Sequence, residues 1–108
     1  MGASSILHQC GRPGSNLELM ADSGADGLTL HQTMNVIETK KILSGRCSIV
    51  GNLDPRSIVQ LEPKDIRALS THCLEEGIDV LAPACGLDPA TPVRNLKAIA
   101  EATHRFKR

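Results

Sequence analysis

The sequence predicts an α/β fold of four βα units with parallel strands, which is half of a TIM-type (β/α)8 barrel. Short apolar runs alternate with helical patterns four times along the 108 residues, and each apolar run leads into a polar or glycine-containing loop. This alternation is typical of parallel strands joined by right-handed crossovers. A complete barrel of eight such units has about 250 residues. The chain is therefore long enough for half a barrel.

The predicted elements follow from local signals at their ends. The strands are predicted at residues 5–8, 27–30, 47–50 and 78–82. Residues typical of helix ends bound the four helices. The first helix is predicted between a Ser15 or Asn16 cap and Gly24, and the second between an Asn35 cap and Gly45. The third is predicted between Pro63 and Gly77, and the fourth between Thr91-Pro92 and the basic tail. The last helix is predicted to face the core with Val93, Leu96, Ile99 and Ala100. Residues 23–28 and 76–81 resemble each other, since both contain a helix-ending glycine, a polar residue and an inward-facing strand.

The composition excludes several classes of function. Lys and Arg together number 12, as do Asp and Glu, so no excess charge favours nucleic acid or an anionic membrane. No apolar stretch is long enough to span a bilayer, and no secretory signal is recognisable. The sequence therefore predicts a cytoplasmic protein. Its four cysteines are spread along the chain, which favours reduced thiols over a disulfide framework.

A candidate metal site joins two distant parts of the chain. His8 and Cys10 lie two residues apart at the end of the first strand, so their side chains are expected on the same side. Cys85 follows the fourth strand and, like Cys10, precedes a glycine. One imidazole and two thiolates form a ligand set that zinc uses when a fourth position stays open for substrate. The alternative is that the two cysteines only fill the core.

Three further side chains are candidates for binding a substrate. His31, after the second strand, is either a pocket residue or a solvated loop histidine. Asn52 and Asp54, in the motif Gly-Asn-Leu-Asp-Pro, either shape the mouth of the pocket or cap the turn through their side chains. Cys47 and Cys73 are predicted to lie in the core.

The combination of three motifs resembles the C-terminal half of the uroporphyrinogen decarboxylase superfamily. The motifs are His-x-Cys-Gly, Gly-Asn-x-Asp-Pro and Cys-Gly-x-x-Pro-x-Thr-Pro-x-x-Asn, and together they extend over essentially the whole chain. Decarboxylases of the superfamily usually carry Gly-His-Gly where this chain has Ala84-Cys85-Gly86. Its cobamide-dependent methyltransferases carry a zinc site of the form His-x-Cys…Cys, and His8, Cys10 and Cys85 occupy those three positions. The sequence therefore resembles the methylcobamide:coenzyme M methyltransferase branch.

The resemblance implies zinc-dependent transfer of a methyl group from methylcobamide, carried by a partner corrinoid protein, to a small thiol such as coenzyme M in methanogenesis. An unperturbed thiol has a pKa of about 8.5, and zinc would favour its thiolate near neutral pH. The family often has acidic residues where this chain reads His31-Gln32-Thr33. The alternatives are uroporphyrinogen decarboxylase-type activity in porphyrin biosynthesis and a non-catalytic truncated half-barrel.

Residues 1–108 are interpreted as one partial, half-barrel domain. Four βα units leave the inner face of their sheet uncovered, so the chain is expected to form a homodimer or a complex with an N-terminal half-barrel. The sequence leaves open which thiol accepts the methyl group and which corrinoid protein donates it.

Overall fold

The structure is a computed structural model that describes residues 2–9 and 16–107. Its elements follow one another as β1 (Ile6–Leu7), α1 (Leu17–Asp22), β2 (Gly27–Thr29), α2 (Val36–Leu43), β3 (Ser48–Leu53), α3 (Pro55–Gln60), α4 (Pro63–Glu76), β4 (Val80–Pro83) and α5 (Val93–Arg105). The strands form one sheet in the order β1-β2-β3-β4, and every neighbouring pair is parallel. The predicted half-barrel of four parallel strands is confirmed.

The core lies between the sheet and the helices. One apolar cluster contains Leu28, Leu30 and Ile49 with residues of α1 and α2, and a second contains Leu53 with residues of α3, α4 and α5. The opposite face of the sheet, here called the inner face, carries Ile6 of β1 and Val80 of β4. These residues are 57% and 49% exposed, and they lie on the two edge strands of the sheet.

Two differences from the predicted elements lie after residue 50. Strand β3 continues through Leu53, and its residues 51–53 pair with residues 81–83 of β4, although glycine and asparagine are typical of loops. Helix α3 was not predicted. It begins because Asp54 caps it, accepting a hydrogen bond from the backbone N–H of Arg56 at 3.0 Å, and because Pro55 occupies its first turn.

The predicted inward face of the last helix is correct in part, since Leu96 and Ile99 pack against the second core cluster but Val93 and Ala100 are exposed. Helix α5 buries Asn95, Ala98 and Ala102, whereas Val93 is 65% exposed. Asn95 sets this orientation, since its Nδ2 donates hydrogen bonds to the carbonyl oxygens of Ile58 at 2.7 Å and Leu61 at 2.9 Å. These two hydrogen bonds join the buried side of α5 to the end of α3.

Candidate metal and substrate site

The predicted site residues that the structure describes lie at one edge of the sheet. Parallel strands end on the same side, and in barrels of this type the chemistry is found at that carboxyl edge. His8 follows β1, His31 follows β2, and Cys85 follows β4, whereas Asn52 lies near the end of β3 and Asp54 follows that strand. The third predicted zinc ligand, Cys10, lies outside the described residues.

His8 is held by the neighbouring strand. Its Nδ1 lies 2.8 Å from Oγ1 of Thr29. Leu7 and Leu28 are paired in register, so the two residues that follow them are also side by side. Thr29 was not singled out in the sequence, although a threonine one residue before the end of an apolar strand is a recognisable polar position. The Nδ1 side of the ring is thus held by the neighbouring strand.

Cys85 lies just beyond β4, at the other side of the sheet from His8. The backbone N–H of Ala84 donates to the carbonyl oxygen of Leu53 at 2.8 Å, which extends the β3–β4 ladder up to the cysteine. Cys85 is exposed. Strands β1 and β4 are three spacings apart, about 14 Å along a flat sheet, so a shared ion requires the curvature of a barrel.

The zinc prediction stays a prediction. Among residues 2–9 and 16–107, no three His, Cys, Asp or Glu side chains are grouped closely enough to hold a metal ion. The donor chemistry nevertheless suits zinc, since one imidazole nitrogen and two thiolates are its usual ligands.

His31 is held differently from His8. Its Nδ1 lies 2.7 Å from Oγ1 of Thr33 and accepts a hydrogen bond from the backbone N–H of Thr33 at 3.2 Å. An amide N–H can only donate, so Nδ1 is the unprotonated nitrogen of this ring. The neutral imidazole therefore carries its proton on Nε2 and is a hydrogen-bond donor there.

Asn52 is buried and makes its contacts within the protein. Its Nδ2 donates to the carbonyl oxygens of His31 and Met34, both at 3.2 Å. Its Oδ1 accepts from the thiol of Cys73, with 3.7 Å between sulfur and oxygen. The amide thus fixes the loop that carries His31. A direct role of Asn52 or of the helix-capping Asp54 in substrate binding stays a prediction.

Two open clefts adjoin this edge. One of about 350 Å³ lies between α2 and α4 and is lined by residues that include Asn52, Asp54 and Cys73. Burial raises the pKa of the Cys73 thiol; the hydrogen bond with Asn52 lowers it by less, and the Glu76 carboxylate raises it slightly further. The other cleft, of about 370 Å³, lies between α3 and the loop after Cys85, and Arg56 and Asp88 line it.

One known protein family matches nearly the whole sequence of this chain. The family model described as "Uroporphyrinogen decarboxylase (URO-D)" matches residues 2–106. The chain belongs to the URO-D family. Its sequence-based assignment to this family is confirmed.

The similar proteins include methyltransferases of Methanosarcina and also a uroporphyrinogen decarboxylase of Coxiella burnetii, which is 31% identical over 97 residues, covering 86% of this chain and 27% of that protein. The URO-D family chain is 39% identical over 103 residues to the methylcobamide:CoM methyltransferase MtaA of Methanosarcina barkeri, covering 94% of this chain and 30% of that protein. It is 31% identical over 108 residues to the methylcobamide:CoM methyltransferase MtbA of Methanosarcina acetivorans, covering 99% and 32%. The chain therefore spans about a third of the length of these relatives.

A solved structure of a methyltransferase from Methanosarcina mazei has the same fold as this URO-D family chain. The TM-score is 0.90 at 36% sequence identity, with 97% of this chain and 32% of that one covered. The resemblance to methyltransferases is thus shown in both sequence and structure.

Proposed function

We propose that this URO-D family chain contributes the zinc-binding half of a methyltransferase that moves a methyl group from methylcobamide to a thiol such as coenzyme M. The observation that carries the proposal is the 39% identity to a methylcobamide:CoM methyltransferase over 94% of the chain. The occurrence of His8 and Cys85 at one edge of a parallel sheet supports it.

His8, Cys10 and Cys85 would hold the zinc ion. Zinc, when bound, would favour the thiolate form of the acceptor. Two cysteine ligands balance the metal's charge formally, which leaves an acceptor sulfur electron-rich enough to attack a methyl group. The Nε2–H of His31 is a donor at the same edge, and it would orient an acidic group of the substrate through a hydrogen bond.

Exposed apolar residues of the inner face support the involvement of a second component. Ile6 and Val80 are each about half exposed on it, and exposed apolar patches of sufficient size mark interfaces. We infer that the partial domain of residues 1–108 acts in the cytoplasm with an N-terminal half-barrel or a second copy. The corrinoid protein that carries the methyl group would meet the carboxyl edge of that assembly. Among the described residues, no helix is long and apolar enough to cross a membrane.

The metal site is tested by elemental analysis of the purified chain. We expect about one zinc per chain, lost in Cys10→Ala and in Cys85→Ala because each removes a ligand. The matched controls are Cys47→Ala and Cys73→Ala, which remove cysteines that pack against the core and should retain zinc. Protein without zinc, unchanged by all four substitutions, would contradict the proposal.

The thiol is tested on the zinc-loaded chain by X-ray absorption with and without coenzyme M. We expect one additional sulfur ligand and release of about one proton, since a metal binds the thiolate. No additional sulfur in fully loaded protein would end the methyl-transfer proposal. Static light scattering tests the second component, and a sharp monomer with unfolding independent of concentration would contradict self-association.

A further inference from the structure

The cleft of about 370 Å³ between α3 and the loop after Cys85 has the properties of a site for a small molecule. Apolar side chains form much of its walls, namely Pro55 and Val59 of α3 and Leu87 and Pro89 of the loop. Leu87 is 39% exposed although its side chain is apolar. Clefts of this size with apolar walls and a few polar groups are typical of sites that bind small molecules.

Hydrogen bonds hold both walls of this cleft in place. Helix α3 is capped by Asp54 at its beginning and is joined to Asn95 of α5 at its end. On the loop, the carboxylate of Asp88 accepts a hydrogen bond from the backbone N–H of Ala90 at 2.7 Å, and its carbonyl oxygen accepts one from the hydroxyl of Thr91 at 2.6 Å. Because the walls are ordered before a ligand arrives, binding loses little conformational entropy of the protein.

One cationic and one anionic side chain line this cleft, and only the anionic one is engaged within the protein. Oδ1 of Asp88 already accepts the N–H of Ala90. Arg56 is exposed, and within residues 2–9 and 16–107 no ion pair or hydrogen bond engages its guanidinium group. A guanidinium carries five N–H donors in a planar fork that matches the oxygens of a carboxylate or a phosphate. The charge that the cleft offers to a ligand is therefore positive.

We propose that this cleft binds a small organic anion. Its oxyanion group pairs with the guanidinium of Arg56, and its short apolar part packs between α3 and the loop. Gly86, the first residue after Cys85, also lines the cleft, so the bound anion lies beside the end of β4. The inference goes beyond the proposed function, since the site uses no metal ion and is separate from His31, which follows β2.

The ligand class is tested by NMR titration of the full, nitrogen-15-labelled chain, followed at the backbone N–H of Gly86 and the Nε–H of Arg56. Butyrate, 1-propanol and propylammonium carry the same propyl group and differ in charge. Only butyrate should shift both signals to saturation. Acetate, which has the same charge and a shorter apolar part, should bind several times more weakly than butyrate because it buries fewer CH₂ groups.

Three variants test the residues, and their amide spectra report whether each retains the fold. Arg56→Gln should lower the affinity for butyrate by about 10-fold or more, since it removes a charged hydrogen-bond donor. Arg105→Gln is the matched control, because Arg105 is an exposed arginine at the far end of α5, and it should leave the affinity unchanged. Asp88→Asn retains an acceptor for the N–H of Ala90 but removes a negative charge, so the affinity should rise by about 2- to 5-fold.

Several outcomes would overturn the site. Butyrate affinity that is undiminished in Arg56→Gln, or that falls equally in Arg105→Gln, would exclude Arg56 as the binding group. Propylammonium or 1-propanol binding as tightly as butyrate would exclude recognition of an anion, and acetate binding as tightly as butyrate would exclude the apolar walls. Because none of these measurements requires zinc, failure of the proposed function would not change their result.

Discussion

The carboxylate of Asp79, directly before β4, accepts a hydrogen bond from the backbone N–H of Ile49 in β3 at 2.9 Å. The equivalent aspartate before β2, Asp26, accepts one from the backbone N–H of Ser5 at 2.8 Å. In both cases the side chain pairs with a backbone donor at the start of the neighbouring strand. The aspartate of the repeated glycine–x–aspartate pattern therefore connects its own strand to the neighbouring strand in a fixed register.

Replacing Asp79 should lower the free energy of unfolding. Most of the loss should come from the hydrogen bond to Ile49, and less from the ion pair with Lys40. Asp79→Ala leaves the N–H of Ile49 without its carboxylate acceptor, and we expect a loss of about 1–3 kcal/mol in the free energy of unfolding by urea. Lys40, whose Nζ lies 3.1 Å from Asp79, is a half-exposed partner. Lys40→Ala should therefore cost only about 0–1 kcal/mol. Equal losses in the two variants would contradict the assignment.

Asn95 is expected to be among the most sensitive polar positions. Asn95→Ala removes both hydrogen bonds to the end of α3 and opens a space in a fully buried site. Each buried carbonyl left without a donor costs about 1–3 kcal/mol, so a loss of several kcal/mol, or failure to fold, is expected in urea unfolding. The neighbouring exposed Arg94, changed to alanine, is the control and should stay within about 0.5 kcal/mol.

Gly51 should not tolerate a side chain. Its φ is +137°, and a Cβ there would lie 3.0 Å from the carbonyl oxygen of Leu30. Gly51→Ala should thus destabilise the chain by more than about 1 kcal/mol. Gly86 is the control position, because an added Cβ there meets nothing within 4 Å. Thermal unfolding compares the two alanine variants. A melting temperature lowered as much by Gly86→Ala as by Gly51→Ala would argue against a local clash.

Alkaline pH should reveal the burial of Cys73. Since burial raises the pKa of this thiol in the folded state, folding favours the neutral form. The stability gained is complete below the unfolded pKa of about 8.5 and is lost as pH rises through the folded pKa. The stability difference between the unsubstituted chain and Cys73→Ala should shrink between pH 8 and 10 in urea titrations. A difference that grows over this range would contradict the sign.

Signals confined to a few neighbouring residues predicted the fold well. Helix α4 begins at Pro63 and ends before Gly77, and α2 is capped by Asn35, whose Oδ1 accepts from the N–H of Glu38 at 2.9 Å. Such signals satisfy backbone groups that the helix itself leaves unpaired. They act within one turn, so a single sequence is sufficient to find them.

Features that depend on distant pairing were not predictable in this way. The contact between Thr29 and His8 exists only because β1 lies beside β2, since the two residues are 21 positions apart in sequence. Asn95 of α5 binds carbonyl oxygens at the end of α3. The sequence did not predict a helix at α3, so this contact could not be foreseen. The site residues His31, Asn52 and Asp54 were placed at the correct edge by strand order, but their individual hydrogen bonds required coordinates.

Strands β1 and β4 each pair on one side only in the described part of the chain. Because all four strands run in the same direction, the β4 edge of one unit matches the β1 edge of another in polarity. Two units related by a twofold axis along the strands would close into a ring of eight with no edge left open. The ring has the same geometry whether the other four strands come from a second molecule or from a fused segment. Covalent continuity and association are therefore interchangeable ways of completing this fold.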